Sequence, residues 1–310
     1  MRRVKRTRCP GHGVPFFAFL LAVGACAADQ PTGPVHSPDF LRIRSPSDTV
    51  LLIGAGDIAG CPSGYKDEAT AAILAKFPSA LVFAGGDLAY QNGSAADFAC
   101  YNASWGQAKK RTYPVPGNRD YNTPNARGYF DYWNGVGVDS GRAGHRARGY
   151  YAFDYGGWRI YALNSQASIT AQAAWLKADI AAHPRRCQLA IMHVPYYSST
   201  RLGSVPRFKP WWDAMLRGRV ELVLSGDNHV YERFSPQDAV GEEVANGVRQ
   251  FLVGTGGAGL GATPRPIDNS EKIVNTHGVL WLKLYPLKYS FQFLPASGGP
   301  SLDTGGRTCQ

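Results

Sequence analysis

The sequence predicts an α/β fold, with one domain in which a mixed β-sandwich is flanked by helices. Short apolar runs recur along the chain, rich in leucine and β-branched residues, as expected of strands buried on both faces. They cover residues 50–54, 80–84, 188–192 and 220–224. Helix-forming segments with spaced apolar residues lie between them, at residues 67–76 and 171–183. This alternation is typical of an α/β core.

Further strands are predicted in the second half of the chain. Residues 150–154 and 158–164 flank Tyr155-Gly156-Gly157, which predicts a hairpin with a glycine turn. Antiparallel strands are predicted near the end of the chain, at residues 248–253, 279–285 and 289–294. In such folds ligands bind beyond the carboxyl ends of the central strands, so the residues that follow those strands are site candidates.

The N-terminus has the pattern of an export signal. Five basic residues within the first eight precede an apolar stretch at residues 14–25, which is too short to span a bilayer. This predicts a signal peptide over residues 1–25. The small residues before Cys26 suit a bacterial lipoprotein site with lipidation of Cys26, whereas Ala25-Cys26-Ala27 also suits an ordinary signal peptidase. Residues 26–47 are predicted to be a tether, and residues 48–310 the folded domain.

An exported location and a modest charge follow from this cleavage. Removing residues 1–25 takes away five basic and no acidic residues, so 310 − 25 leaves 285 residues and the net charge falls from +10 to +5. Such a charge favours anionic substrates, but no basic block of nucleic-acid type remains. We therefore expect a periplasmic or extracellular protein without sequence-specific nucleic-acid binding. Its membrane association would come only from a lipid anchor, and its oligomeric state stays open.

Four cysteines lie beyond the signal region, namely Cys61, Cys100, Cys187 and Cys309. An even number in an exported chain favours two disulfides, although four cysteines permit three connectivities. Cys61 and Cys100 both lie just downstream of predicted strand ends, which favours pairing them and leaves Cys187 with Cys309. The spacing does not match a zinc knuckle.

Polar clusters follow five of the predicted extended segments. They are Gly56-Asp57, Gly86-Asp87-Leu88-Ala89-Tyr90, Gly117-Asn118-Arg119-Asp120, His193, and Gly226-Asp227-Asn228-His229. Taken singly, a Gly-Asp turn or a lone histidine is common and structural. Together they offer carboxylate, amide, phenol and imidazole groups on rigid strand ends, as a metal site requires. Glycine before each acid is expected to allow a sharp turn.

These clusters resemble the calcineurin-like metallophosphoesterases and, within them, the bacterial branch related to purple acid phosphatases. Gly56-Asp57-Ile58-Ala59-Gly60 stands where that branch has Gly-Asp-x-Gly, and Gly86-Asp87-Leu88-Ala89-Tyr90 matches its Gly-Asp-x-x-Tyr. Gly117-Asn118 matches the start of Gly-Asn-His, and residues 226–233 match Gly-His-x-His-x-Tyr-Glu-Arg. The resemblance runs from about residue 50 to the C-terminus. It implies a four-layer α/β/β/α fold, with residues 48–310 as the catalytic domain.

The resemblance also implies a dinuclear metal centre that hydrolyses a small phosphorylated substrate. One ion would be held by Asp57, Asp87, Tyr90 and His229, and the other by Asp87, Asn118, His193 and Asp227, with Asp87 bridging. Iron is expected in the tyrosine-containing site, and manganese, zinc, iron or magnesium in the second. The implied reaction is attack by metal-activated hydroxide on a phosphomonoester, or less readily on a phosphodiester.

Two positions depart from the family pattern. Arg119 replaces the histidine of Gly-Asn-His, and arginine is too basic to protonate a leaving group, although it binds phosphate oxygens. We therefore expect Arg119, Asn118 and Asp87 to be the catalytic residues, with alkyl esters turned over slowly. Asp227 replaces the first histidine of Gly-His-x-His, which shifts the second site towards harder cations.

Several residues are expected to support the ligands rather than bind metal, namely Asp120, Tyr231, Glu232 and Arg233. Glu232 and Arg233 are expected to form a buried ion pair that braces the last loop. His145 is a candidate substrate contact. Two rivals to an active hydrolase remain. One is a pseudoenzyme that binds metal or phosphate without efficient turnover. The other is a metal-free β-sandwich that binds sugar or cell wall, against which the intact set of four residues in the first site argues.

Overall fold

Two β-sheets face each other across a shared apolar core in the computed structural model, which describes residue 45 and residues 48–310. The predicted signal peptide, the lipidation site at Cys26 and all of the tether but residue 45 lie outside the described residues. No helix within the described part of the chain is both long and apolar enough to cross a membrane.

The first sheet has six strands. In chain order they are β1 (Val50–Ala55), β3 (Leu81–Gly85), β5 (Thr112–Val115), β15 (Gly278–Leu284), β16 (Lys288–Pro295) and β17 (Asp303–Thr308). Their spatial order is β17-β16-β15-β1-β3-β5. β1, β3 and β5 run parallel to one another, so their carboxyl ends meet at one edge of the sheet.

The second sheet has seven strands. They are β8 (Tyr151–Tyr155), β9 (Trp158–Ala162), β10 (Cys187–Ile191), β11 (Leu222–Ser225), β12 (Tyr231–Phe234), β13 (Arg249–Val253) and β14 (Ser270–Val274). Their spatial order is β14-β12-β13-β11-β10-β9-β8. β9, β10, β11 and β13 run parallel, and their carboxyl ends form a second common edge.

Short strands and helices complete the described chain. Two small ribbons pair β2 (Ala59–Gly60) with β4 (Ala89–Tyr90) and β6 (Ser140–Gly141) with β7 (Gly144–His145). The α-helices are α1 (Asp67–Ala75), α2 (Ala95–Ala103), α3 (Arg127–Asn134), α4 (Ile169–Ala182) and α5 (Lys209–Arg217). Short 3-10 helices cover Trp105–Arg111, Asp120–Asn122, Pro124–Ala126 and Pro206–Phe208.

Side chains of the second sheet alternate between two apolar layers, because successive residues of a strand point to opposite faces. Leu189 and Leu222 pack in the core between the sheets. Their neighbours Ala190 and Val223 pack on the opposite face with residues of α5 such as Trp212. The second sheet is therefore covered on both faces, and α1 contacts β15 of the first sheet.

The predicted fold class is confirmed: the structure is a mixed α/β sandwich flanked by helices. Each predicted helix and strand is found with both ends within two residues of the prediction. The orientation of residues 248–253 was only partly predicted. β13 pairs antiparallel with β12, as expected, but it pairs parallel with β11 on its other side. In the chain β12 lies between β11 and β13, whereas in the sheet β13 lies between β11 and β12.

Both predicted disulfides are confirmed. Cys61 joins Cys100, which ties the segment after β2 to α2. Cys187 joins Cys309 and links β10 of the second sheet to the residue that follows β17 of the first. The second bridge therefore joins the two sheets covalently at the end of the described chain.

Candidate metal centre

All five predicted polar clusters meet where the parallel strands of the two sheets end. Asp57 follows β1, Asp87 follows β3, and Asn118 follows β5. His193 follows β10, and Asp227 and His229 follow β11. The structure brings all seven proposed ligands into one connected cluster, whose members are Asp57, Asp87, Tyr90, Asn118, His193, Asp227 and His229.

One group of donor atoms forms around the phenol of Tyr90. The hydroxyl donates to Asp57 Oδ1 at 3.0 Å and lies 3.2 Å from Asp87 Oδ2. It also lies 3.1 Å from His229 Nε2, which in turn is 3.2 Å from Asp57 Oδ1. Two carboxylates, a phenol and an imidazole thus converge, and these are the four residues that the resemblance assigned to the first ion.

A second group forms around Nε2 of His193. This nitrogen lies 3.2 Å from Asn118 Oδ1, 3.3 Å from Asp87 Oδ1 and 3.4 Å from Asp227 Oδ1. Asp87 belongs to both groups, since its Oδ2 faces Tyr90 and its Oδ1 faces His193. A carboxylate that presents one oxygen to each group has the arrangement that a bridging ligand needs.

Both imidazoles are oriented by backbone carbonyls. His193 Nδ1 lies 2.9 Å from the carbonyl oxygen of Gly85, and His229 Nδ1 lies 2.5 Å from that of Gly259. In the neutral ring each Nδ1–H then donates to a carbonyl, which leaves the Nε2 lone pair aimed at the carboxylates. This is the tautomer that metal coordination through Nε2 requires.

The carbonyl of Gly259 was not predicted as part of the site. It belongs to a glycine-rich segment, residues 254–261, that follows β13. Ala258 N–H donates to the carbonyl of Asp57, so this segment closes over the first loop. The sequence signal that points to it is the density of glycine directly after the predicted strand at residues 248–253.

The carboxylates change the acid-base properties of their neighbours. Burial disfavours a charge on His229, but Asp57 and Asp87 outweigh it and raise its pKa to about 9. Burial likewise opposes a charge on His193, yet chiefly Asp87 raises the pKa of His193 well above its usual value. Burial and the same two carboxylates raise the pKa of Tyr90 far above its ordinary range.

The donor set fits bound cations. Positive charge among these oxygens would favour neutral imidazoles and a phenolate, which reverses the shifts just described. Asp57, Asp87 and His193 are buried and each presents a ligand atom within 4.8 Å of the others. Oxygen and nitrogen donors without cysteine suit iron, manganese, zinc or magnesium rather than copper(I).

Close backbone approach explains Gly117 and Gly226, whereas Gly86 takes the left-handed conformation that the predicted sharp turn requires, with φ of 90°. The acids themselves take the left-handed conformation, with φ of 59° at Asp57, 49° at Asp87 and 68° at Asp227. A Cβ on Gly117 would lie 2.2 Å from Asp87 Oδ1, and one on Gly226 would lie 2.7 Å from Asp57 Oδ2. Only glycine therefore fits at these two positions.

Asp120 and Arg119 lie next to the ligands on the loop after β5. The buried carboxylate of Asp120 accepts N–H bonds from Gly117 at 2.8 Å and from Leu88 at 3.2 Å, so it holds two ligand loops together. Burial and the charge of Asp87 raise the pKa of Asp120 to about 7. Arg119 donates its backbone N–H to Asp87 Oδ1 at 2.7 Å, and its exposed guanidinium lies 5.9 Å from the centre of the Tyr90 ring.

The prediction of an ion pair between Glu232 and Arg233 is wrong. The two residues are adjacent on β12 and point to opposite faces of the sheet. Glu232 accepts hydrogen bonds from Ser199 and Ser270. Arg233 pairs with Asp303 at 2.7 Å and with Glu271.

Tyr231 points to the same face as Arg233 and donates to Asp303 at 2.8 Å. Asp303 begins β17 of the first sheet. Within the described residues, the polar side-chain contacts of Tyr231 and Arg233 thus join the two sheets and do not touch a ligand.

Comparisons with known proteins agree with this geometry. Residues 42–231 match the family model described as calcineurin-like phosphoesterase. Purple acid phosphatase 21 of Arabidopsis thaliana is 32% identical over 96 residues, which are 28% of this chain and 22% of that protein. The chain therefore spans about a fifth of the length of this curated relative.

Solved structures share the fold. The purple acid phosphatase PPD1 from yellow lupin (Lupinus luteus) seeds has a TM-score of 0.70 at 18% identity, covering 85% of this chain and 55% of that one. GAP50, the anchor in the inner membrane complex of Plasmodium, has a TM-score of 0.64 at 12% identity, covering 84% and 89%. The resemblance inferred from the motifs is thus confirmed.

Proposed function

The chain belongs to the calcineurin-like phosphoesterase family, and on that premise we propose that it is an exported, dinuclear-metal hydrolase of phosphate esters. Monoesters are the proposed substrates in preference to diesters. The observation that carries the proposal is the position of Asp87, whose two oxygens lie in two separate donor groups. A hydrolase that clamps one phosphate between two cations needs a shared ligand of this kind.

Each donor group has its own proposed occupant. Asp57, Asp87, Tyr90 and His229 would hold iron, because a phenolate favours a trivalent ion. Asp87, Asn118, His193 and Asp227 would hold manganese, zinc, iron or magnesium, since replacing an imidazole by the carboxylate of Asp227 favours harder cations. When bound, the two ions supply the positive charge that polarises the phosphoryl group and makes a water molecule nucleophilic.

Arg119 is proposed to bind the phosphate rather than to donate a proton. Its backbone is fixed by the hydrogen bond to Asp87, while its guanidinium is exposed over the ring of Tyr90. A guanidinium pairs with two phosphate oxygens at once and stabilises the charge that develops on them. It keeps its own proton near neutral pH, so the leaving group departs with little protonation from this residue.

The two disulfides support export. Disulfides persist in oxidising compartments and are rare in the cytosol, and Cys187–Cys309 joins the two sheets of the domain. A periplasmic or extracellular location is therefore proposed, with a lipid anchor at Cys26 as one route and ordinary signal cleavage as the other. Expression in the native host, followed by fractionation and mass determination of the mature N-terminus, distinguishes the two routes.

The test combines metal analysis with turnover. Purified mature protein is analysed for metal content and assayed with p-nitrophenyl phosphate, alongside Asp87→Asn and the exposed control Asp268→Asn. We expect about two metal ions per chain in the parent and the control. In Asp87→Asn both metal content and hydrolysis should fall, the latter by at least about 100-fold. Hydrolysis that survives both chelation and Asp87→Asn would overturn the proposal.

The same assay separates a hydrolase from a metal-binding pseudoenzyme. The replacements at positions 119 and 227 are the observations that favour the pseudoenzyme. Such a protein would bind both ions and retain inorganic phosphate in a titration, yet release no p-nitrophenol. Release of p-nitrophenol that depends on Asp87 therefore decides for the hydrolase.

A further inference from the structure

A cleft of about 640 Å³ opens among residues that continue from the ligand loop after β5. Its walls are the segment after β5, which includes Tyr121 and Arg127, and the segment after β9, which includes Gln166 and Ser168. The hairpin of β6 and β7 contributes His145. A cleft of this size is within the range of small-molecule sites.

Hydrogen bonds tie both walls to the ligand loops. Tyr121 follows the Asn118-Arg119-Asp120 turn, and its hydroxyl accepts from Asn164 Nδ2 at 2.8 Å. Ser165, next to Gln166, accepts at its hydroxyl from the N–H of Val194, the residue after His193. The walls of the cleft are thus connected to the loops that carry Asn118 and His193.

Exposed hydrogen-bonding groups of both kinds line the cleft. The Asp139 carboxylate and the Gln166 side-chain amide are exposed and have no hydrogen-bond or ion-pair partner within the described part of the chain. Ser168 accepts from Ala171 N–H and keeps its own hydroxyl proton free to donate. His145 Nδ1 accepts from Ala147 N–H, so a neutral ring carries its proton on Nε2. The cleft thus offers acceptors and donors together.

The charges of the cleft nearly cancel. Arg146 is engaged by Asp131 at 2.6 Å and by the carbonyl of Gly135 at 2.7 Å. Arg127 lies 3.4 Å from the same Asp131 with 78% of its side chain exposed, and Asp139 adds a second acid. The two arginines of the cleft are therefore matched in number by Asp139, which lines it, and by Asp131, which contacts both. A second phosphate would gain little from this balance, whereas hydroxyl groups pair with both donors and acceptors.

We propose that the cleft binds the alcohol portion of the substrate and that this portion is polyhydroxylated, so that the substrate is a sugar or polyol phosphate. The proposal rests on the proposed function, because the metal centre must hold the phosphate. Gln166 and Asp139 are the specificity-determining residues, and the ring of Tyr121 provides an apolar wall for the carbon skeleton.

Inert analogues test the cleft without turnover. Isothermal titration calorimetry on the metal-loaded protein compares methylphosphonate, the methylene phosphonate analogue of glucose 6-phosphate, and propane-1,3-bisphosphonate, whose C–P bonds resist hydrolysis. We expect the glucose analogue to bind at least about tenfold more tightly than methylphosphonate. Gln166→Ala and Asp139→Ala should each lower this ratio to roughly threefold or less. Gln292→Ala, an exposed glutamine on β16, should leave it unchanged.

The outcomes separate the cleft from the catalytic proposal. Equal affinity for the glucose analogue and methylphosphonate, or a ratio that the cleft variants do not change, overturns the sugar proposal even where p-nitrophenyl phosphate is hydrolysed. Tighter binding of the bisphosphonate than of the glucose analogue also overturns the sugar proposal and shows that the cleft binds an anionic group. If p-nitrophenyl phosphate is not hydrolysed but the glucose analogue binds through Gln166, only the catalytic proposal fails.

Discussion

Gly117→Ala is expected to damage the metal centre with one added methyl group. The Cβ of alanine at this position would lie 2.2 Å from Asp87 Oδ1, 2.3 Å from Asp87 N and 2.8 Å from His193 Nε2. Ordinary contact for a Cβ begins at 3.4 Å. Asp87 must therefore withdraw by about 1 Å, and it is the residue shared by both donor groups.

The magnitude follows from that displacement. A shift of about 1 Å in a positioning group costs on the order of 100-fold in turnover. We expect kcat/KM for an aryl phosphate to fall by about that factor, which is about 2.7 kcal/mol of transition-state stabilisation. Crowding in a packed interior should also lower the free energy of unfolding by about 1–3 kcal/mol.

The assay needs a control substitution at an exposed residue away from the ligand loops. Asp268 is exposed, so Asp268→Asn is the control. Hydrolysis at saturating metal, metal content and urea unfolding are measured for both variants. Activity of Gly117→Ala within threefold of the parent would refute the reasoning, because turnover would then not depend on the exact position of Asp87.

Three further predictions concern the family departures and the disulfides. Because Arg119 cannot protonate a leaving group, the parent should hydrolyse an aryl phosphate far more efficiently than an alkyl phosphate. Arg119→His should reduce that preference by about tenfold or more. Equal efficiency of the parent on the two esters would contradict this prediction. Mn²⁺ should restore the activity of metal-depleted protein better than Zn²⁺, and in Asp227→His Zn²⁺ should restore it better than Mn²⁺. Better recovery of the parent with Zn²⁺ would argue against the assigned role of Asp227. Replacing Cys187 and Cys309 by serine opens a bridge with a sequence separation of 122, which should lower the free energy of unfolding by about 5 kcal/mol in urea titrations. A loss below about 1 kcal/mol would show that this bridge does not constrain the unfolded chain.

The sequence predicted the strands that carry the centre because their signals are local. Residues 50–54 and 188–192 are apolar runs that stop at a polar residue, and they correspond to β1 and β10. Each polar cluster is common when taken singly, so the prediction of a metal site depended on five of them following extended segments in one chain. Asp57 follows a strand of the first sheet and His193 a strand of the second, and the two meet because the carboxyl edges of both sheets lie together at the site.

Features that depend on pairing between distant segments could not be predicted in the same way. The pattern of residues 248–253 shows a strand but not its partners, so neither its parallel pairing with β11 nor the carbonyl of Gly259 was foreseen. The face to which Glu232 points depends on the register of β12, which sequence adjacency to Arg233 does not reveal. The cleft likewise arises from three separate segments whose residues carry no shared motif.

Backbone strain at the three site aspartates indicates that the centre is organised by the protein itself. A left-handed conformation at a residue other than glycine costs about 1 kcal/mol or more and persists only where its surroundings hold it. Here Asp57 N–H donates to the carbonyl of Gly86 at 2.9 Å, and Asp227 N–H donates to Asp57 Oδ2 at 2.9 Å. Asp87 accepts from the N–H of Arg119. Because these bonds join the ligand loops to one another, the loops hold the donor atoms in place together. A substitution in one loop should therefore shift donor atoms in both groups.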